Sequence, residues 1–102
     1  MARRLIRTPS ENPPGDTAAV AAVAVELLSA AEGAGPGRRL IFNGHLDTFL
    51  AGVAALWSDD PFAGKVADGR IGGRGASDMK GGLACSILAF AMLAQVRRAW
   101  TG

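Results

Sequence analysis

"LIFNGHLDT", residues 40–48, decides the reading of the fold and raises the question of function with it. Leu40, Ile41 and Phe42 form an unbroken apolar run. A strand with one wet face alternates apolar and polar residues, whereas a run apolar at every position suits a strand covered on both faces. Cover on both faces marks a parallel or mixed α/β sheet flanked by helices. The run then gives way to His45, the only histidine in the chain, and Asp47. At a period of two, both side chains point one way and Leu46 points the other. The C-terminal end of a strand is where open α/β sheets place ligands.

On the N-terminal side, "SENPPGD" (10–16) is a turn whose end supplies a helix cap, Asp16 or Thr17. Alanine-rich sequence from Ala18 to Glu32 then predicts a helix, with Val20, Val23, Leu27 and Leu28 on its apolar face. "EGAGPGRR" (32–39) ends it. On the C-terminal side, residues 45–62 read as a long irregular segment. "GKVADGRIGGRG" (64–75) reads as a hairpin turning at Asp68-Gly69. An apolar helix follows from about Gly82 to Arg98. Its main face is Leu83, Ile87, Phe90, Ala91 and Ala94. Leu88, Ala89 and Met92 make the other side apolar too, so this helix is expected to be buried. Against that expectation, only one central strand is available to build the sheet that would cover it.

Composition narrows the function classes. With 102 residues the chain is long enough for one small domain, and 49% apolar residues rule out a disordered tail. Eleven basic residues against nine acidic ones leave a net charge of +2. The arginines are dispersed at 3, 4, 7, 38, 39, 97 and 98 among others, with no stripe for nucleic acid, so no nucleic-acid partner is expected. The longest apolar run, Leu83 to Val96, is shorter than the roughly 20 residues that span a bilayer, so no membrane association is expected. The arginine-rich start is interrupted by Pro9, Pro13 and Pro14 before any secretory core, which makes a cytoplasmic setting the expectation. Cys85 is the only cysteine; in an apolar run it reads as a buried, inert thiol.

Two places could carry chemistry. In His45-Leu46-Asp47 the imidazole is a good ligand for zinc and similar ions. A carboxylate two residues on can accept the other ring N–H and fix the tautomer. The same pattern also serves a histidine that merely hydrogen-bonds near a strand end. In "GRGASDMKGG" (73–82), Asp78 lies close to the start of the apolar helix, among glycines at 73, 75, 81 and 82. Ser77 or Asp78 could simply cap that helix. The glycines with Lys80 could instead cradle a phosphate, although neither the Walker pattern nor a helix-opening G-x-G-x-x-G is present. Residue types alone leave these readings open.

Together the segments are far more specific. "NGHLDT" (43–48), "W..DPF" (57–62) and "DGRIGGRGASDMKGGLA" (68–84) resemble the M20 family of metal-dependent peptidases and deacylases. The resemblance runs from about Leu5 to Leu93, since "LIRTPSENPPGDT" (5–17) is similar to the family's first helix end and following turn. It implies an α/β, zinc-exopeptidase-like catalytic domain with a mixed, mainly parallel sheet flanked by helices, of which residues 1–102 form the N-terminal portion without the dimerisation domain. It implies that His45 ligates one metal, that Asp47 is the catalytic-site carboxylate holding that imidazole, and that Asp78 bridges two divalent metals, zinc or cobalt. A shared anion between two cations offsets their repulsion. A cis peptide is implied just after the bridging aspartate, at Asp78-Met79. The implied substrates are N-acyl amino acids or small peptides, and family members are often homodimers. Arg74 and Lys80 flank the site and read as surface charge, with help in keeping Asp78 ionised as the alternative. Trp57 reads as packing under its loop.

The pattern is incomplete. The family's Glu-Glu pair supplies the general base and a further ligand, and a later acidic residue and histidine complete the metals. After Asp78 this sequence has no acidic residue and no histidine. Gly72 stands where an aromatic is frequent, and Phe49-Leu50 where Val-Pro is. The expectation is therefore a metal-dependent amide hydrolase by family, with this chain holding one side of the site and inactive alone. The competing expectation is a non-catalytic remnant or an interaction protein that pairs through an open sheet edge and carries an apolar patch over residues 82–98.

Overall fold

The computed structural model describes residues 1–28, 36–37 and 41–99. In chain order its elements are α1 (Ala2–Ile6), β1 (Glu11–Asn12), α2 (Ala18–Leu28), β2 (Thr48–Phe49), β3 (Lys65–Ala67), β4 (Arg70–Gly72) and α3 (Gly81–Gln95). The three helices pack on one another. Their shared core is Leu5, Val20, Ala24, Ala84 and Ile87, with Val23, Leu46 and Leu83 against it.

α2 starts where the sequence predicts. An Asp16 carboxylate oxygen accepts the Ala18 backbone N–H at 3.0 Å, which satisfies one of the free donors of a first helical turn. Val20 and Ala24, one turn apart, are its buried positions. The predicted continuation over 29–32, and the side chains of Leu27 and Leu28, lie outside the described residues.

The apolar run corrects the sequence reading. Arg39 and Leu40 lie outside the described residues, and residues 41–47 form no strand. Ile41 is 84% exposed and Phe42 54%. An apolar run becomes a doubly covered strand only where neighbouring backbone offers ladder partners, and among the described residues 41–44 pair with no strand. The ladder begins later, at β2, which pairs in parallel with β1: Glu11 opposes Thr48 and Asn12 opposes Phe49. The described residues thus form two sheets of two strands each, one parallel and one antiparallel, and not the mainly parallel sheet expected.

The hairpin is as predicted. Lys65 opposes Gly72, Val66 opposes Ile71 and Ala67 opposes Arg70. Asp68 (φ 50°) and Gly69 (φ 70°) both take positive φ, the backbone of the tight turn whose twist matches two antiparallel strands.

α3 is a second correction. Its expected main face is right: Ile87 is buried, and Leu83, Phe90, Ala91 and Ala94 are partly so. Its other side is open: Leu88 is 52% exposed and Met92 60%. α1 and α2 cover one side only, because apolar residues around a whole helix call for cover that packing must still supply. Cys85, expected buried, is exposed on that open side. The stretch Ala76–Gln95 is long and apolar enough by composition to cross a membrane. Its backbone is non-helical at Asp78 and Met79, however, so continuous helix is limited to the 15 residues of α3. Those rise about 22 Å, less than the about 30 Å of a bilayer core.

Candidate metal centre

The segment carrying His45 is fastened by its neighbours in space. The Ser10 hydroxyl donates to the Leu46 carbonyl at 2.6 Å, and the Thr48 N–H donates to the Ser10 carbonyl at 2.9 Å. Leu46 turns to the helical core, so His45 and Asp47 share the opposite side, as a period of two requires. Gly44 explains itself here. A Cβ on it would lie 3.0 Å from the Met79 methyl, and the Met79 sulfur accepts the His45 backbone N–H at 3.3 Å. Met79 thereby links the two segments that carry the site, a role its residue type did not signal.

Asp78 is presented by the turn Ala76–Lys80 that leads into α3, with non-helical backbone at Asp78 (φ −129°, ψ 100°). The Asp78-Met79 peptide is cis, as the resemblance implied. Gly75 opens the turn at φ 75°. A Cβ there would run into the Thr48 methyl, so both the conformation and the close approach require glycine.

These two segments bring the predicted residues together. His45 Nε2 lies 3.0 Å from Asp78 Oδ1. His45 Nδ1 lies 3.0 Å from the Asp47 carbonyl oxygen and 3.2 Å from Asp47 Oδ1. A ring between acceptors on both sides is best satisfied as the imidazolium, which donates from both nitrogens. The His45 pKa is accordingly raised above the usual 6.5, first by the hydrogen bond to Asp78 and then by that to the Asp47 backbone. The Asp47 pKa is lowered, first by a hydrogen bond from Asn12, whose Nδ2 donates to Asp47 Oδ2 at 3.0 Å. Asn12, His45, Asp47, Thr48, Phe49 and Asp78 line an open cleft of about 330 Å³.

The flanking charges are arranged differently from the sequence reading. Lys80, read as surface charge, is 1% exposed. Its ammonium donates to the Thr8 carbonyl at 2.8 Å, and burial lowers its pKa. Held there, it is not available to cradle a phosphate. Arg74 stacks over the Trp57 ring, 4.9 Å from its centroid. Trp57 is half-buried and donates its indole N–H to the Ala51 carbonyl at 2.8 Å, which fits a packing role.

The donor set fits a divalent ion in part. With Nδ1 committed to Asp47, the other ring nitrogen faces a carboxylate across an exposed cleft, and imidazole with carboxylate suits zinc and similar ions. Among the described residues no cluster of three histidine, cysteine, aspartate or glutamate side chains surrounds one point. The described residues bring two such ligands to the cleft, His45 and Asp78, with Asp47 behind the first.

Comparison with known proteins adds a second line. The sequence model of Peptidase family M20/M25/M40 matches residues 41–100, a span that includes His45, Asp47 and Asp78. A succinyl-diaminopimelate desuccinylase of Magnetococcus marinus is 51% identical over 61 residues, 60% of this chain and 16% of that protein. One of Rhodospirillum centenum is 55% identical over 53 residues, 52% of this chain and 14% of that protein. One of Rhodopseudomonas palustris is 54% identical over 50 residues, 49% of this chain and 13% of that protein. The chain therefore matches only about a sixth of the length of these curated relatives.

Proposed function

Since the chain belongs to Peptidase family M20/M25/M40, we propose that it supplies one half of a divalent-metal site for hydrolysis of an amide bond in an N-acyl amino acid or small peptide. The observation that carries this is the meeting of His45 Nε2 and Asp78 Oδ1 at 3.0 Å across an open cleft. His45 and Asp78 are the residues that would hold the metal. A divalent ion bound there would supply Lewis acidity toward the amide carbonyl and make an attacking water more acidic. Asp47 orients the His45 ring and keeps its outer nitrogen pointed at the cleft. Phe49, 81% exposed, walls the cleft on its apolar side. The names of the relatives favour an N-succinyl amino acid as the first substrate to try. An exposed, unpaired Cys85 suits a reducing cytoplasm.

No general base for the attacking water stands among the cleft residues. We therefore expect the 102-residue chain to bind metal and hydrolyse nothing by itself. The test is incubation of the purified chain with N-succinyl and N-acetyl amino acids in added cobalt or zinc. Turnover that disappears on Asp78→Ala would overturn the inactivity and locate a base elsewhere.

A second reading, a chain that associates through an apolar surface, is favoured by the open side of α3. Leu88, Met92 and Val96 are each more than half exposed there, and Ile41 and Phe42 are exposed as well.

A further inference from the structure

His45 and Asp78 are 33 residues apart and lie on separate segments. Besides the direct contacts between the two segments (the ring contact itself, Met79, and Gly75 against the Thr48 methyl), their separation depends on what touches both. Residues 8–12 do. At one end the Thr8 carbonyl accepts the Lys80 ammonium at 2.8 Å, two residues beyond Asp78. At the other end Asn12 Nδ2 donates to Asp47 Oδ2 at 3.0 Å, which leaves Asp47 Oδ1 facing His45 Nδ1 at 3.2 Å. Between them Ser10 exchanges hydrogen bonds with the segment at Leu46 and Thr48, and the Glu11 carboxylate accepts the Ala51 N–H. The segment is itself anchored, because Leu5 and Ile6 just before it are fully buried. Gly15, at φ 82°, lets the chain fold back over Asn12: a Cβ there would sit 3.3 Å from the Asn12 side-chain oxygen. Residues 8–12 and Gly15 lie outside the stretch 41–100 that the family model matches, while their partners at 46–51 and 80 lie inside it.

We propose that Thr8–Asn12 is a brace that sets the separation of His45 and Asp78, with Asn12 and Lys80 as the positioning residues at its two ends. The inference rests on the metal-site reading above. Asn12 acts through Asp47. With Oδ2 held, the carboxylate cannot rotate away from the ring, and together with the Asp47 carbonyl oxygen, 3.0 Å from Nδ1, it keeps the neutral imidazole's proton on Nδ1 and its lone pair on Nε2. Lys80 acts through the turn. Its buried side chain reaches the Thr8 carbonyl and ties the Asp78 turn to the end of α1.

The test compares the wild-type chain with Asn12→Ala, Asn12→Leu and Lys80→Met, the last two close in size to the native residues. Zinc affinity is measured by calorimetry with the metal alone. The His45 ring tautomer is read by nitrogen NMR of the metal-free chain at alkaline pH, and His45 being the only histidine makes the signals unambiguous. Thermal unfolding reports the fold. The brace predicts zinc affinity about tenfold weaker in each variant, the scale of lost outer-shell contacts, with the melting temperature of Lys80→Met kept. It predicts a ring proton shifted toward Nε2 in both Asn12 variants. Unchanged affinity and an unchanged tautomer in folded variants would overturn it. If the wild-type chain binds no zinc, the metal-site reading fails for this chain, and the tautomer alone decides the brace: a shift on Asn12→Leu supports it and no shift overturns it.

Discussion

His45 meets opposite demands in its two states. Without metal, Asp47 and Asp78 favour the imidazolium; to ligate, the ring must lose the proton on Nε2. The raised pKa makes a prediction with a definite sign. A group whose folded pKa exceeds its unfolded value stabilises the fold below the unfolded value, and that contribution is lost as pH rises through the folded value. The metal-free chain should therefore lose melting temperature from about pH 6.5 upward, and His45→Ala should flatten that slope. Thermal scans across the range check it; equal slopes in both proteins would mean the ring is not engaged by the two carboxylates in solution. Zinc binding should show the reverse trend and strengthen as the proton leaves. The pairing of His45 with Asp47 was legible in their spacing, since a period of two puts them on one side wherever the chain is extended. Asn12 was not, because its partner lies 35 residues away and an asparagine in a proline-rich turn has an ample local explanation.

Among the elements, α3 shows how far a hydrophobic pattern reaches. Its inner face was legible residue by residue, because apolar positions three and four apart fall on one stripe. Its burial was not, since a helix apolar all round does not say whether anything covers the second side. The two sides should answer mutation differently. Ile87, 2% exposed, should cost about 2–4 kcal/mol on Ile87→Ala through lost transfer energy and a cavity. Met92, 60% exposed, should change stability by less than about 0.5 kcal/mol on Met92→Gln. Denaturant unfolding of both variants checks the contrast, and a large loss at Met92 would mean that side is covered in solution. The hairpin was the most legible element, because Asp-Gly between short apolar strands specifies its turn chemistry locally. The run at 40–42 was the least: three apolar residues suit a strand, yet Ile41 and Phe42 stand exposed for lack of a neighbour.

The whole molecule leaves much apolar surface uncovered. It exposes 7148 Å², where a compact monomer of 10.4 kDa exposes about 5,400 Å². Its radius of gyration is 15.7 Å, against about 13 Å for a compact domain of this size. Leu88, Met92 and Val96 contribute apolar surface to this excess, each more than half exposed along one side of α3 and its end. The chain should accordingly self-associate at micromolar concentration, and Leu88→Lys with Met92→Lys should reduce that association. Sedimentation of wild type and variant decides it; a monodisperse wild-type monomer would remove the association reading and leave the metal site as the sole basis for function.

The family, the hairpin, the start of α2, the inner face of α3 and the three residues at the cleft could all be read before any coordinates. The local elements rest on short-range spacing, and the joining of His45 with Asp78, 33 residues on, rests on the resemblance of the combined segments to the family. Contacts in three dimensions were needed to show that Ile41 and Phe42 lie outside any sheet, that Lys80 is buried and Cys85 exposed, and that Thr8–Asn12 touches both halves of the site. Those depend on which distant segments meet, and contacts across more than thirty residues leave no periodicity for a single sequence to display.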